Sequence, residues 1–478
     1  MNSFRLRLAK AARRLWRPNL AAAAVIVFGG IASVAVNSPG HLSYDSVLQL
    51  LEGREGVYNN WHPPVMSWLL GVCDSTIPGA ALFIVFNAVL AYGALASIMA
   101  ATGGTSWIAP MAAAVCIALP QLFIMQGIVW KDVLFANASL AGFTLLFHAA
   151  LQWERWRARA ILLLASAACL ALAALTRQNG VLILLPAGAA LGAIAYARAQ
   201  NARLTKAALG ALTLTAGCVV AAAGGKAWLE LRAIKQPGAY EMLRQLQIYD
   251  IIGAAKADPA FEPAILEREA PQVAALIDGG KSRYTPLSSD PVSDWQELAA
   301  AVAASPDAVS RQWRDLIIHH PLTYLSMRGE VFRWLFAPPD PSKVYFYGLG
   351  VDGPQPELGN LGMALRFDAR DNALYRYSRW FTDAGLMHPV FAVINAVCFI
   401  VLWLRRRPED YAFLALISSA ALFAASFFVL SIASDYRYLY FTDLAAIGSG
   451  LYVLAGAPWR RLAQEPQRRP AMEMAPQA

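Results

Sequence analysis

The stretch HLSYDSVLQLLEGREGVYNNWHPPVMSW, residues 41–68, connects the first long apolar run of the chain to the next one. Within it, Tyr44, Val47, Leu48 and Leu51 follow the i, i+3, i+4, i+7 spacing of an amphipathic helix. An amphipathic helix that directly follows an apolar run is expected to lie along a membrane surface. The stretch therefore predicts a surface helix next to a membrane-spanning segment.

Short patterns inside this stretch indicate where its helices begin. Ser46, followed by Gln49 three residues later, is a capping-box pattern typical of a helix start. Pro63 and Pro64 can begin a helix but cannot lie inside one. A second, short helix is therefore predicted over Val65–Val72.

The composition excludes an ordinary soluble protein. Of the 478 residues, 57% are hydrophobic and only 15% are charged, whereas soluble domains carry about a quarter charged residues. The net charge of +8 does not indicate nucleic-acid binding, because the basic residues stand in short clusters between apolar runs. The five cysteines stand singly, so neither disulfides nor a zinc site are predicted.

Apolar runs long enough to cross a bilayer recur along the chain, and they predict an all-α polytopic membrane protein of about ten transmembrane helices. Ionisable residues are rare in these runs, with His148 and Asp443 as the exceptions. Ion-coupled transporters usually need buried carboxylates or histidines in their spans, so this rarity favours another function. The predicted spans are Leu20–Val36, Ala80–Ala100, Trp107–Ile124, Val133–Leu151, Ala160–Leu175, Val181–Ala197, Ala207–Gly224, His388–Leu404, Tyr411–Ile432 and Leu439–Leu454.

The distribution of Lys and Arg assigns the ends of these spans to the two sides of the membrane. Every arginine-rich short loop falls on one side, which we predict to be the cytoplasmic side, together with both termini. We therefore expect a multi-pass protein of the plasma membrane, which in a bacterium is the inner membrane. Its predicted parts are a basic N-terminus (1–19), a transmembrane module (20–224) with an external first loop (38–64), an extracytoplasmic, mostly helical domain (225–387), C-terminal transmembrane helices (388–457) and a cytoplasmic tail (458–478).

Polar residues gather at the predicted outer ends of the spans in four clusters. Lys131, Arg177 and Arg437 lie there although the positive-inside rule disfavours cations on that side. Arginine binds phosphate oxygens in a bidentate manner and lysine acts as a point charge, so these residues predict an anion site at the level of the lipid headgroups. The clusters are Asp45 with His62, Trp130-Lys131-Asp132, Arg177-Gln178-Asn179, and Asp435-Tyr436-Arg437-Tyr438.

Each cluster also has a purely structural explanation. An acid in the first turn of a helix, such as Asp45, can stabilise the positive end of the helix dipole. Aromatic residues at a span end can belong to the interfacial belt, and neighbouring opposite charges can simply pair. These alternatives apply to Trp61 and Trp130 as belt residues, to His62 as a structural residue, to Lys131 paired with Asp132, and to Arg177 and Arg437 paired with Asp435 or Asp443.

The order of these motifs resembles the GT-C class of membrane glycosyltransferases, especially its protein O-mannosyltransferase and aminoarabinose-transferase branch. The likeness covers about residues 20–200 and, more weakly, 430–460. It differs in the first loop, where Asp45 is followed by Ser46 instead of a second acid. The matching motifs are Tyr44-Asp45, Trp61-His62-Pro63-Pro64, Lys131-Asp132, Thr176-Arg177-Gln178-Asn179-Gly180 and Arg437-Tyr438.

The resemblance implies sugar transfer from a polyprenyl-phosphate donor to a glycan, lipid or protein acceptor at the extracytoplasmic face, by one inverting displacement. It implies Asp45 as the general base, with a pKa raised by the low-dielectric interface, and Asp132 or Glu55 as a second acid. No metal ligands are assigned, and a divalent metal cofactor is left open. The remaining assignments are Lys131, Arg177, Arg437 and Tyr438 at the lipid phosphate, and Tyr44, Trp61, His62 and Asn179 in the sugar and acceptor pocket.

Two other functions are weighed against this one. A flippase or transporter of a lipid-linked sugar would need a polar path through the spans and inverted repeats. A structural or polymer-export subunit would tolerate the loss of Asp45 and Arg437. The convergence of four polar clusters on one face favours the enzyme.

Overall fold

The computed structural model describes residues 17–59, 61–102, 107–198 and 238–456, together with isolated residues between 205 and 225. Within these residues the chain is α-helical, and the only β-structure consists of isolated bridges. The all-α prediction is therefore confirmed. The predicted terminal segments fall largely outside the described residues, as does most of the seventh predicted span, residues 207–224.

Eight helices in the described part of the chain are long and apolar enough to cross a membrane. A ninth crossing is formed if the pair Ile108–Ala118 and Pro120–Gly127, bent by 66°, counts as one broken span. The bend falls at Pro120, which has no amide hydrogen to donate and disfavours a helical residue before it. The eight helices are Pro18–Asn37, Ala81–Ala101, Lys131–Leu151, Trp156–Thr176, Gln178–Arg198, His388–Arg405, Asp410–Leu430 and Tyr436–Ala455.

The helix Lys131–Leu151 forms the centre of the bundle, and nearly all of its side chains are buried. Its Phe135 stacks on Phe423 with ring centroids 4.2 Å apart and meets Phe441 edge-on. In contrast, the helices Trp156–Thr176 and His388–Arg405 expose many leucine, isoleucine and valine side chains. An apolar outer surface around a packed centre is the arrangement expected for a polytopic membrane protein.

The first loop contains the two predicted helices. The first spans Tyr44–Glu55, and the second, Val65–Thr76, is four residues longer than predicted. The first helix begins one turn earlier than the predicted capping box, because its N-cap is Ser43, whose amide donates to Oγ of Ser46 at 3.4 Å. It ends at Gly56, whose φ of 68° suits glycine.

Between residues 238 and 383 the chain adds a helical region with its own buried core. A fully buried ion pair joins Asp250 to Arg328 there, and Nη1 of Arg328 donates to the Ser431 carbonyl at 2.6 Å. This bond ties the region to the loop that follows the membrane helix Asp410–Leu430. Its helices are Gly238–Ala257, Ala264–Glu269, Pro271–Arg283, Asp290–Ser293, Gln296–Ala304, Pro306–His319, Pro321–Phe336, Gln355–Leu361 and Ala369–Asp383.

An extended segment around residues 344–351 holds the first loop against the bundle. The backbones of Leu42 and Val351 form a parallel bridge, as do those of His41 and Ile128. The buried His41 ring accepts the Gly350 amide at Nδ1, over 3.0 Å. These contacts place the helix Tyr44–Glu55 beside the start of the central helix, which positions the candidate site.

Candidate functional site

One cavity of about 800 Å³ lies where the first loop, the helical region and the ends of four membrane helices meet. Charged and polar side chains surround one part of it, namely Asp45, His62, Lys131, Arg177, Asp435 and Arg437. Apolar side chains surround another part, namely Met242, Leu243, Leu246, Leu287, Leu430 and Ile432. The cavity therefore suits a ligand that carries both a charged group and an apolar chain.

Arg437 bridges two carboxylates. Its Nη2 lies 3.0 Å from an oxygen of Asp45 and 3.0 Å from an oxygen of Asp435, and its Nε donates to the same Asp435 oxygen at 3.1 Å. The guanidinium also lies over the ring of Trp130, 5.1 Å from its centroid. Arg437 therefore joins Asp45, in the first loop, to Asp435, which lies two residues before the arginine in sequence.

His62 connects Lys131 to Asp45. Its Nδ1 lies 2.6 Å from Nζ of Lys131, and its Nε2 lies 3.6 Å from an oxygen of Asp45. When Lys131 is an ammonium group it can only donate, so Nδ1 accepts and the ring hydrogen is on Nε2, facing the carboxylate. Burial lowers the pKa of His62 to about 4, and Lys131 adds to this effect while Asp45 opposes it. The ring is therefore neutral near pH 7.

Arg177 pairs with Asp132 inside the wall of the cavity. Nη1 of Arg177 forms a short ion pair with one oxygen of Asp132, whose other oxygen is buried and has no hydrogen-bond partner among the described residues. The guanidinium lies beside the stacked rings of Phe427 and Tyr438, 5.2 and 5.3 Å from their centroids. These contacts fix the direction of Arg177.

The two carboxylates on Arg437 differ in acidity. Burial alone would raise the pKa of Asp45, but the contact with His62 and the charges of Arg437 and Lys131 hold it well below its usual range. The expectation of a raised pKa for Asp45 is therefore wrong. Burial raises the pKa of Asp435. The charge of Arg437 opposes this increase, whereas the carboxylates of Asp132 and Asp45 add to it.

Basic and acidic side chains are equal in number at the site. Lys131, Arg177 and Arg437 lie beside three carboxylates, two of which share Arg437. The sequence predicted these three cations at an anion site, with Asp45 and a second acid, Asp132 or Glu55, taking part in the chemistry. An anion that enters the cavity must share these cations with Asp45, Asp132 and Asp435, and it would favour protonation of the weakest acid.

Other predicted residues lie in less central positions. Tyr44 is 56% exposed and does not line the cavity, and Glu55 is exposed at the end of its helix. Trp61 lines the cavity, whereas the Asn179 side chain, also at its wall, donates to Oγ of Ser426 at 2.7 Å. Of the two candidates for a second acid, only Asp132 belongs to the charged cluster.

The purely structural explanations of the polar clusters are correct for some residues and wrong for others. Arg437 pairs with Asp435, as one of them proposed, but Arg177 pairs with Asp132 and Lys131 bonds to His62. Trp130 is not a belt residue, because it is fully buried and its Nε1 donates to Oγ of Ser43 at 2.9 Å.

Some polar residues that line the cavity were not predicted from the sequence. Lys343 and Tyr345 reach the cavity from the extended segment, and Ser288 and Ser289 from a turn of the helical region. None of them belongs to a periodic pattern or a motif. The two serines are held there because the Ser289 amide donates to the Ile432 carbonyl at 2.7 Å, and the extended segment is held by the Tyr436 amide, which donates to the Tyr345 carbonyl at 3.2 Å.

A chain of buried polar side chains continues below the site. Nε2 of Gln121 donates to the Tyr436 hydroxyl at 3.0 Å, and Nε2 of Gln126 donates to the Tyr440 hydroxyl at 2.8 Å. Nδ2 of Asn137 donates to Gln126 at 2.7 Å. Asn137 stands six residues after Lys131, about 9 Å deeper along the helix. The spans are therefore more polar inside than the rarity of ionisable residues suggested.

In the described residues, no three His, Cys, Asp or Glu side chains come together to hold a metal ion. When the chain is compared with known protein families, with curated proteins and with solved structures, none of them shows a significant match.

Proposed function

We propose that this protein is a membrane glycosyltransferase that moves a sugar from a polyprenyl-phosphate donor to an acceptor at the extracytoplasmic face of the membrane. The observation that carries the proposal is that Lys131, Arg177 and Arg437 line the same cavity as an apolar wall. The order of motifs that resembles GT-C enzymes supports the same reaction. The arrangement of arginine-rich loops supports the outer face, and hence a plasma membrane or bacterial inner membrane.

The apolar wall suits the lipid part of such a donor. Met242, Leu243 and Leu246 come from one helix, and Leu430 and Ile432 from the end of a membrane helix and the loop after it. Leu243 and Leu430 are both nearly half exposed. Each methylene group that leaves water for such a surface contributes about 0.8 kcal/mol. A prenyl chain would therefore be held at the point where the bundle meets the membrane surface.

The charged wall suits the departing phosphate. When the bond between the sugar and the phosphate breaks, the phosphate gains negative charge, and fixed cations at that place lower the barrier. Arg177 and Arg437 are held in direction by aromatic rings as well as by carboxylates. Lys131, which is bonded to neutral His62, is the cation of the three without a direct ion pair to a carboxylate in the described chain. It is the one we expect to bind the phosphate first.

The test uses the purified full-length protein in detergent with undecaprenyl phosphate linked to a panel of hexoses and pentoses. Release of undecaprenyl phosphate is followed for the wild type and for Arg437→Ala. We expect release with at least one donor and its loss in the variant. The control is Arg333→Ala, because Arg333 forms only an exposed pair with Glu330. If no donor gives release, the proposal fails.

A transporter of a lipid-linked sugar is the second candidate, and the buried polar chain below the site is the observation that favours it. Against it, these side chains bond to one another, which is typical of a packed polar layer. Vesicles that contain the protein and a lipid-linked sugar separate the two: a transporter moves the intact lipid between leaflets, whereas the transferase releases undecaprenyl phosphate.

A further inference from the structure

Asp435 and Asp45 both contact the guanidinium of Arg437, but they differ in what surrounds their second carboxylate oxygen. We propose that Asp435 is the general base of the proposed transfer and that Asp45 is a positioning residue that holds Arg437 and His62. This assignment rests on the proposed function and changes the residue that the resemblance to GT-C enzymes implied. It follows from which carboxylate oxygen is free to accept a proton.

Both oxygens of Asp45 already have a nitrogen-bound hydrogen nearby, although only the contact with Arg437 is short enough to be a hydrogen bond. One of its oxygens accepts from Nη2 of Arg437 at 3.0 Å, and the other faces the Nε2 hydrogen of His62 at 3.6 Å. Both neighbours stabilise the ionised carboxylate, so its pKa is held well below its usual range. A base that is so weak takes a proton poorly near neutral pH, because efficient general bases have pKa values close to the working pH.

Asp435 offers such an oxygen. Its Oδ2 accepts both bonds from Arg437, while no residue that the structure describes donates a hydrogen bond to its Oδ1. The residue lines the cavity, and 23% of its side chain is exposed. The two acids lie on the same Nη2, so their bonded oxygens are at most 6.0 Å apart, as the sum of 3.0 and 3.0 Å. Arg437 favours the ionised form of both acids, but the negative charge of ionised Asp45 raises the pKa of Asp435 and so makes it the stronger base.

The other candidates near the cavity are less suitable. His62 uses Nδ1 to accept from Lys131 and points its hydrogen at Asp45, so neither ring nitrogen is free. Asp132 is 2% exposed, bonds to Arg177 and does not line the cavity. Asp45 and Asp435 both line the cavity and are 30% and 23% exposed, so access does not separate them. What separates them is that Oδ1 of Asp435 has no donor beside it in the described chain, and that burial and the neighbouring carboxylates raise the pKa of Asp435.

The acceptor hydroxyl oxygen forms a bond to the anomeric carbon while its proton passes to Oδ1 of Asp435. The bond from that carbon to the phosphate oxygen breaks, and its electron pair stays on the phosphate, which leaves beside Lys131 and Arg177. Water can take the place of the acceptor hydroxyl, so release of undecaprenyl phosphate reports the step when the acceptor is unknown.

The decisive comparison is between Asp435→Asn and Asp45→Asn, which make the same carboxylate-to-amide change on the two sides of Arg437. A general base typically contributes about 100- to 10,000-fold, so we expect Asp435→Asn to reduce kcat by that factor with little change in donor KM. Asp45→Asn should mainly raise donor KM. Asp435→Glu keeps a carboxylate and should recover part of kcat, which separates lost chemistry from a folding defect.

The pH profile provides a readout that a structural role would not change. In the wild type, kcat/KM should rise with pH as Asp435 loses its proton, and this rise should vanish in Asp435→Asn. In Asp45→Asn the rise should shift to lower pH, because the carboxylate that raises the pKa of Asp435 is gone. The groups that face or border Asp435 are Arg437 and Tyr438 on its own turn, Asp45, His62, Lys131, Asp132, Arg177, Lys343 and Tyr345.

Each outcome decides the assignment. If Asp45→Asn removes the rise while Asp435→Asn keeps it, Asp45 is the base and the assignment is overturned. It is also overturned if both variants keep wild-type kcat. If the wild type releases nothing from any donor, the proposed function fails and the assignment falls with it, whereas turnover with the opposite pattern of variants rejects the assignment alone.

Discussion

Nδ1 of His388 lies 2.8 Å from an oxygen of Asp443, and both side chains are almost completely buried between membrane helices. Nε2 of the same ring lies 3.1 Å from the Tyr436 carbonyl, which can only accept, so this nitrogen carries a hydrogen. The ring therefore links the Asp443 carboxylate to the backbone at Tyr436. It anchors the turn Tyr436–Leu439, which presents Arg437 to the cavity.

We expect His388→Ala to destabilise the protein by about 3–5 kcal/mol, because it leaves a buried acid and a buried carbonyl without their partner. Replacement of both members, His388→Leu with Asp443→Leu, should cost less than the sum of the two single changes. Thermal unfolding in detergent measures both. Arg333→Ala serves as the control, since its exposed ion pair should be worth no more than about 1 kcal/mol. An equal loss of stability in His388→Ala and in the control Arg333→Ala would contradict the anchoring role of His388.

The helices Tyr44–Glu55 and Val65–Thr76 touch at two glycines. A Cβ on Gly53 would collide with the Ser67 carbonyl oxygen, and one on Gly71 would collide with the Gly53 carbonyl oxygen. Gly53→Ala should therefore cost about 1–3 kcal/mol as an overpacked contact and should displace Asp45 from Arg437. Reduced turnover and a lower melting temperature are expected together. Gly93→Ala is the control, because nothing lies near its added Cβ, and it should leave turnover unchanged without lowering the melting temperature.

The fold was largely predictable where it depends on local patterns. The spacing of Tyr44, Val47, Leu48 and Leu51 predicted a surface helix, and the structure has one over Tyr44–Glu55. Apolar length predicted the membrane helices because the bilayer imposes it. Helix ends were less accurate: the capping box was placed at Ser46, since the pattern that Ser43 forms with a second serine is weaker than one with glutamine.

The site was predictable as a set of clusters but not as a network. Sequence placed Asp45 and Arg437 on one face, yet their direct contact spans 392 positions of chain and depends on tertiary packing. The same holds for His388 and Asp443, which were not paired, so the spans were expected to be less polar than they are. The low pKa of Asp45 depends on these partners, and no local pattern could predict it.

Asp132 should behave as a structural acid. Its ion pair with Arg177 is buried, so Asp132→Asn should lower stability by about 3–5 kcal/mol, the usual cost of breaking a buried pair. Because Arg177 then loses its direction, donor KM should rise. The dependence of kcat/KM on pH should keep its rise, which would distinguish this variant from Asp435→Asn. Steady-state kinetics between pH 5 and 8 measure it, and loss of the rise would place Asp132 in the chemistry.

Stability should fall between about pH 6.5 and pH 4 because of two histidines. The pKa of His62 and that of His41 are each lowered from 6.5 to about 4, with burial as the main cause. Below pH 6.5 the unfolded chain therefore binds protons that the folded protein does not, so unfolding becomes easier as pH falls. Because a shift of one pKa unit corresponds to about 1.36 kcal/mol, each histidine accounts for a loss of about 3 kcal/mol in the free energy of unfolding.

His62→Gln isolates one of these contributions. Glutamine can still accept from Lys131 and donate to Asp45, but it takes up no proton, so the loss of stability between pH 6.5 and pH 4 should shrink by about half, with His41 responsible for the rest. Melting temperatures across this range measure it. His319→Gln is the control, because that side chain is 67% exposed, and it should follow the wild-type curve. An unchanged slope in His62→Gln would mean that His62 is not held neutral between Lys131 and Asp45.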